Sequence, residues 1–372
     1  MIASRVIFAS AALFCAAHSA FAAESKEYYV PFKPENVAIG FFPRDKAPVI
    51  TVPSGAIVKI DGGGGARWGT EDPDKWLKEN NIPTTIEKTP GLAETVAAMK
   101  SGTHAPGNLA GHLLVGPIAV EGAEPGDMLE VRILSVAPRI PYGTVSTLPG
   151  RGGIPDLVPR PFTQIVTFDF KRNVGLFAPG IELPLGPFMG VMGVLPPESE
   201  GVIRRSSEPG VFGGNLDCKE LVDGSTLYLP VFAKGAMFFT GDSHAGQGDG
   251  EVTVSAIETA NTCRLQFIVH KGKTIQSPRA ETPTHFIAFG LDHDLGKAMR
   301  MAITETDSYL AEIKGLDFFH AFTLASAGID FHVTQVVDGT LGIHSMIPKK
   351  IFVNDTFPYW AKPKSKHVAS AE

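Results

Sequence analysis

The chain has 372 residues, 44% of them hydrophobic and 19% charged, with 40 Gly, 29 Pro and a formal charge of −6. That apolar content excludes a long disordered protein, and so much Gly and Pro excludes a helical bundle or coiled coil. A mildly acidic chain without a Lys/Arg cluster is also a weak partner for nucleic acid.

At the N-terminus Arg5 precedes an apolar run over 6–17 that is broken only by Ser10, and Ala20-Phe21-Ala22 follows as a small-residue cleavage pattern. Residues 1–22 therefore read as a signal peptide, too short for the ~20 apolar residues of a membrane span. The expectation is a periplasmic or secreted protein with no membrane segment after removal of the leader. Export leaves Cys218 and Cys263, and three readings stay open: a disulfide, two buried thiols, or a nucleophilic Cys218.

Three segments repeat one pattern, a turn glycine followed by apolar residues two apart. They are Gly55 with Val58 and Ile60, Gly126 with Leu129, Val131 and Ile133, and Gly224 with Leu227, Leu229 and Val231. Apolar residues two apart share one face of a strand, so each segment predicts a turn feeding a half-buried strand. Further strands are predicted at 164–170, 251–257 and 263–269. The Gly62–Gly65 run and the Pro/Gly-rich stretch 138–161 read as loops, the second on the surface or over a site. Helices are predicted at 92–100, 295–313 and 318–327. In the second, Leu295, Met299, Ala302, Thr306 and Leu310 recur at near-helical spacing. The fold class is mainly β, a sandwich or barrel, with an α+β C-terminal portion. The expected division is a β-rich unit over 23–270 that carries the site, with 271–372 packed on it.

The densest polar cluster is Thr240-Gly-Asp-Ser-His-Ala-Gly-Gln-Gly-Asp-Gly-Glu251. Asp242 and His244 are two apart, so an extended backbone points both to one side; Asp249 and Glu251 repeat the spacing. Mixed oxygen and nitrogen donors of this kind suit Zn²⁺, or Ca²⁺ if carboxylates dominate. The competing reading is a glycine-rich turn whose acids cap backbone N–H groups. A second cluster, Gly213-Gly-Asn-Leu-Asp217, sets Asn215 two residues from Asp217. A third runs from Gly111 to Asp127 and contains His112, Glu121, Glu124 and Asp127, of which Glu124 and Asp127 are assigned to the turn around Gly126. Ser243 lacks the second glycine of a nucleophile elbow, and there is no His-Glu-x-x-His helix or phosphate-cradling glycine loop.

Together these stretches resemble the acetamidase/formamidase family. The matching residues are Gly116–Asp127, Gly213–Asp217, Gly224–Val231, Gly241–Glu251, Glu281-Thr-Pro-Thr-His285 and Gln335-Val-Val-Asp-Gly339, and the likeness extends over almost all of the mature chain. The resemblance implies a β-rich fold, a divalent metal site, action on small amides and a homo-oligomer. The chain departs from the family pattern at Ser243, Gly246 and Cys218, and in its leader.

The resulting expectation is a metal-assisted hydrolase of linear amide bonds. Asp217, Asp242, His244 and His112 are assigned to the metal, with Asp249 either ligating or supporting. Glu251 or Glu121 moves the proton, and Asn215 or Gln247 orients the amide. The rival is an exported, non-catalytic relative that binds a metal and a small polar ligand.

Overall fold

Gly55, Gly126 and Gly224 all adopt positive φ, at 92°, 92° and 87°, a conformation that glycine enters without strain. Each turns the chain into a strand of one sheet: Ile57–Asp61, Met128–Pro138 and Thr226–Pro230. The computed structural model describes residues 26–64, 73–82, 84–108, 111–357 and 359–360, so the signal peptide and Gly65 lie outside the described residues.

That sheet has nine strands in the order Glu27–Val30, Ile57–Asp61, Asn261–His270, Met128–Pro138, Thr226–Pro230, Arg279–Glu281, His285–Asp292, Leu341–Pro348, Asp330–Gln335. Strands on either side of residue 270 thus pair within it, Thr226–Pro230 against Arg279–Glu281. A seven-stranded sheet runs Gly213–Asn215, Phe188–Gly193, Phe238–His244, Leu113–Val120, Val37–Ile39, Thr103–His104, with Ile50–Val52 beside Leu113–Val120. The two sheets close on one apolar core. Val58, Leu129, Val131, Leu229 and Leu265 come from the first, and Val115, Val191 and Phe238 from the second. The rings of Phe238 and Phe267 meet edge-on across this core at 5.0 Å. The fold is mainly β with helices concentrated toward the C-terminus, as expected.

The helices occupy Pro90–Ser101, Leu295–Lys314 and Phe318–Gly328, and a short Pro73–Glu79 is added to those expected. Asp294 starts the long helix by accepting from the Lys297 N–H at 2.8 Å, and Gly315 ends it at φ 65°. Its buried Ala298, Ala302, Thr306 and Leu310 lie on strand His285–Asp292. Gly290 permits that approach, because any Cβ there would collide with the Ala298 and Ala302 backbone.

Two local expectations need correction. Stretch 138–161 contains the strand Tyr142–Thr147, and only its remainder is irregular. Segment 251–257 alternates like a strand but is a tight loop, with Glu251 and Val254 at φ 44° and 62°. It must return the chain to Ile257, whose N–H donates to the Gly246 carbonyl and whose carbonyl accepts from the Ala245 N–H, so the backbone between them has to turn.

Candidate active site

The site is built across the central strand Phe188–Gly193. On one side Asn215 pairs with Val191, and the Asp217 N–H donates to the Gly190 carbonyl at 3.2 Å. On the other, Gly241 pairs with Val191 and Ser243 with Met189, which sets Asp242 level with Gly190. Asp217 and Asp242 both have positive φ, 48° and 56°, so neither lies in regular strand geometry. The Asp242 carboxylate nevertheless reaches its expected neighbour, with Oδ2 3.2 Å from His244 Nε2. Glu258, from the end of the returning loop, comes within 3.5 Å of the same nitrogen.

His244 therefore joins two triads, a buried one with Asp217 and Glu251 and one with Asp242 and the half-buried Glu258; within each, a ligand atom from every member lies within 4.8 Å of the others. Gly190 forms the floor. A Cβ there would sit 2.5 Å from Asp217 Oδ1, 2.6 Å from Asp242 Oδ2 and 3.0 Å from His244 Cε1. Phe188 holds the imidazole edge-on at 5.0 Å.

Hydrogen bonds around this centre fix the acids. Asn215 Nδ2 donates to Asp217 Oδ2 at 2.7 Å and to Asp338 Oδ2 at 2.9 Å, and Gln247 Nε2 donates to the Asp217 carbonyl at 2.7 Å. Several buried atoms make no hydrogen bond among the described residues: Asp217 Oδ1, Glu251 Oε2, His244 Nδ1, Asn215 Oδ1 and Gln247 Oε1. A buried polar atom left without a partner costs free energy, so a convergent set of them calls for an occupant.

Charge leads to the same point. Burial, reinforced by Glu251, Asp242 and Asp338, drives the Asp217 carboxyl well above its usual range. Burial likewise raises Glu251, although His244 opposes it. Burial would raise Asp242 too, but the His112 and His244 imidazoles outweigh it and hold Asp242 low. For His244 burial works downward, and Asp242 and Glu258 reverse it, so its pKa lies well above the ordinary value. Asp338 is pushed up to about 6, chiefly by burial. Carboxylates this crowded cannot all ionise without a compensating positive charge. A divalent cation fits both the donors and the charge.

The structure thus gathers Asp217, Asp242, His244 and Glu251, with Asn215 and Gln247 against them. His112 stands at the edge, half-buried, its Nε2 3.7 Å from Asp242 Oδ2 and its Nδ1 3.2 Å from the Ser206 carbonyl. Asp249 is not brought in, because its oxygens pair outward with Lys219 at 3.2 Å and His332 at 2.8 Å. Nor is Glu121, which is exposed at the far end of the strand that follows His112, on the order of 25 Å away at ~3.3 Å per residue. Gly190, Glu258 and Asp338 were missed. Asp338 had a signal, since it lies in the Gln335–Gly339 stretch that carries the family resemblance; Gly190 and Glu258 had none. The two cysteines are free and buried, not bridged. Around the rim, the Gly153 N–H donates to the Val252 carbonyl at 2.8 Å, which lays the loop after Thr147 on the turn that carries Glu251.

The model of the Acetamidase/Formamidase family matches residues 108–208 and 200–354. An acetamidase of Mycolicibacterium smegmatis is 28% identical over 220 residues, 43% of this chain and 54% of that protein, so the chain spans about half the length of this relative. A formamidase of Methylophilus methylotrophus is 27% identical over 325 residues, 68% of this chain and 80% of that protein. Among solved structures, an acetamidase from Bacillus halodurans superposes with a TM-score of 0.70 at 28% identity, over 87% of this chain and 99% of that one. A predicted acetamidase/formamidase from Thermoanaerobacter tengcongensis gives 0.70 at 25% identity, over 88% and 98%.

Proposed function

Since the chain belongs to the acetamidase/formamidase family, we propose that it hydrolyses a small linear carboxamide, such as formamide or acetamide, and releases ammonia with the help of a divalent cation. The observation that carries this reading is the convergence of Asp217, Asp242 and His244 on the Gly190 floor, with Glu251 grouped beside Asp217 and His244, and with Asp217 Oδ1, Glu251 Oε2 and His244 Nδ1 buried without a hydrogen bond among the described residues.

Asp217, Asp242 and His244, with Glu251 or Glu258, would hold the cation; an imidazole among carboxylates favours Zn²⁺, and a larger share of carboxylates would favour Ca²⁺. Such a cation lowers the pKa of water toward ~7 and polarises a carbonyl. The chain's own groups do the rest. Glu251 is buried beside Asp217 and His244, so where Glu258 completes the ligand set its carboxyl is placed to relay a proton to the leaving nitrogen, which is a poor leaving group until protonated. The Asn215 and Gln247 donors are committed to protein acceptors, so these residues position Asp217. Their free carbonyl oxygens, Oδ1 and Oε1, are left to accept from a substrate –NH₂. Phe188 and the strand beneath Gly190 keep bulk water from the buried side.

The same proposal has the chain exported by its leader and acting as a homo-oligomer, a reading supported by the exposed aromatic residues Phe318, Phe319 and Phe322. Ammonia release from formamide and acetamide, measured before and after chelation, tests the activity. The expected result is turnover that chelator abolishes and Zn²⁺ or Ca²⁺ restores. His244→Ala should lose metal retention and turnover together; turnover surviving in that variant would remove the role.

A further inference from the structure

A second cluster of ligand-type side chains begins one residue beyond Asp217. Cys218 Sγ, a Glu220 carboxylate oxygen and a His344 ring nitrogen are all within 4.8 Å of one another. Glu220 Oε2 stands 3.4 Å from Cys218 Sγ and 3.1 Å from His344 Nε2. Its other oxygen, Oε1, is taken by the Lys219 ammonium at 2.5 Å, which leaves Oε2 for the cluster. His344 is fixed from behind, with Nδ1 2.8 Å from the Thr334 hydroxyl and its ring stacked on His332 at 5.4 Å. Its Nε2 is buried, with 1% of the side chain exposed, and faces Glu220 Oε2.

We propose that Cys218, Glu220 and His344 form a second metal site, for a borderline-soft divalent cation of the Zn²⁺ type. The spacing fits: metal–ligand lengths of about 2.0–2.3 Å in a tetrahedron put neighbouring ligand atoms roughly 3.3–3.6 Å apart, close to the 3.4 Å and 3.1 Å that separate Glu220 Oε2 from Cys218 Sγ and His344 Nε2. Sulfur, imidazole nitrogen and one carboxylate oxygen select Zn²⁺ over Ca²⁺ or Mg²⁺, and three protein donors leave one position for water. The thiol proton departs to solvent as sulfur ligates.

The site is distinct from the Asp217–His244 centre but coupled to it through the backbone. Cys218 follows Asp217 directly. Gln247 Nε2 donates to the Asp217 carbonyl at 2.7 Å and reaches the carbonyl of Thr334 at 3.5 Å, and the Thr334 hydroxyl orients His344. A cation here would tie strand Leu341–Pro348 to the segment that presents Asp217, and so hold that carboxylate in place.

Only this site offers sulfur, so cobalt distinguishes it from the other. The full chain, reduced, stripped with chelator and titrated with Co²⁺, should develop a thiolate-to-cobalt charge-transfer absorption that saturates at one such ion per chain. Cys263→Ser should keep the band and Cys218→Ser should lose it, with circular dichroism reporting the fold of each. Glu220→Gln retains the thiol and should weaken the cobalt affinity read from the band by ~10-fold or more. A wild-type chain without the band overturns the proposal, as does a band that persists in Cys218→Ser. If Cys218→Ser does not fold, an unchanged affinity in Glu220→Gln does the same. None of these outcomes depends on amide turnover.

Discussion

The nine-stranded and seven-stranded sheets share a core but treat their backbones differently. In the first, Gly55, Gly126 and Gly224 supply the positive φ at the turns, and the strands they open put Val58, Val131 and Leu229 into the core beside Phe267, with the register shifting once between Arg264 and Leu265. In the second, and in the loop that extends it, positive φ falls on side-chain-bearing residues, among them Asp217, Asp242 and Glu251. Aspartate tolerates this conformation better than most residues, but each instance still costs about 1–3 kcal/mol when fully strained. The lesson is a division of labour: one sheet is built for packing, and the other accepts local strain to aim its acids at one point.

That division can be broken from the packing side first. Phe267→Ala removes a fully buried ring from between the sheets and should cost about 3–5 kcal/mol of stability. Urea unfolding should show a lowered midpoint, while the turnover of whatever fraction remains folded stays near wild type. A large loss of kcat per folded molecule would mean that the sheets are not separable in this way.

Gly190→Ala is the converse. The added methyl would press on Asp217, Asp242 and His244, yet Gly190 is not among the positive-φ glycines, so the backbone itself is not strained by alanine. Turnover should fall roughly 100-fold, the scale expected of an ångström-sized displacement at a reacting centre. Cation affinity should fall with it, and the urea midpoint should move little. Retained activity would show that Gly190 is not the floor on which the ligands depend.

The same contrast explains what the sequence made legible. The packing sheet announces itself through glycine turns and through apolar residues two apart, most cleanly in Asn261–His270, whose residues alternate between buried and half-buried and which contains the predicted 263–269. Strands Leu113–Val120, Phe188–Gly193 and Phe238–His244 are buried along their whole length, so they have no alternation to read. Asp242 and His244 were visible because an unusual density of polar residues sits among glycines. Asp217 joins them only because Phe188–Gly193 lies between, a long-range pairing that local spacing does not encode. Glu258 arrives on a loop whose alternating Val-Thr-Val pattern imitates a strand, and Glu121 looked eligible until the length of its strand carried it to the far end. Spacing identifies which side chains can share a face, but topology decides which faces meet.

The smallest test concerns an acid that the packing sheet keeps for itself. Asp127 closes the turn at Gly126. Its Oδ2 accepts from the Glu124 N–H at 2.8 Å and its Oδ1 from the Gly272 N–H at 2.8 Å, and Lys271 pairs with Oδ2 at 2.5 Å. Burial works to raise its pKa, but the Lys271 ammonium and these N–H donors prevail and hold the carboxyl below its usual range. A carboxyl that is lowered in the folded state contributes stability above its unfolded pKa of ~3.9 and loses it as pH falls toward the folded value. Asp127→Asn should therefore lower the urea midpoint modestly at pH 7, and the gap from wild type should close as pH falls below ~4. Amide turnover at pH 7 should be unchanged, because Asp127 belongs to the turn that launches strand Met128–Pro138 and not to the site. A gap that stays constant with pH would locate the effect in lost turn geometry, not in the charge of the carboxylate.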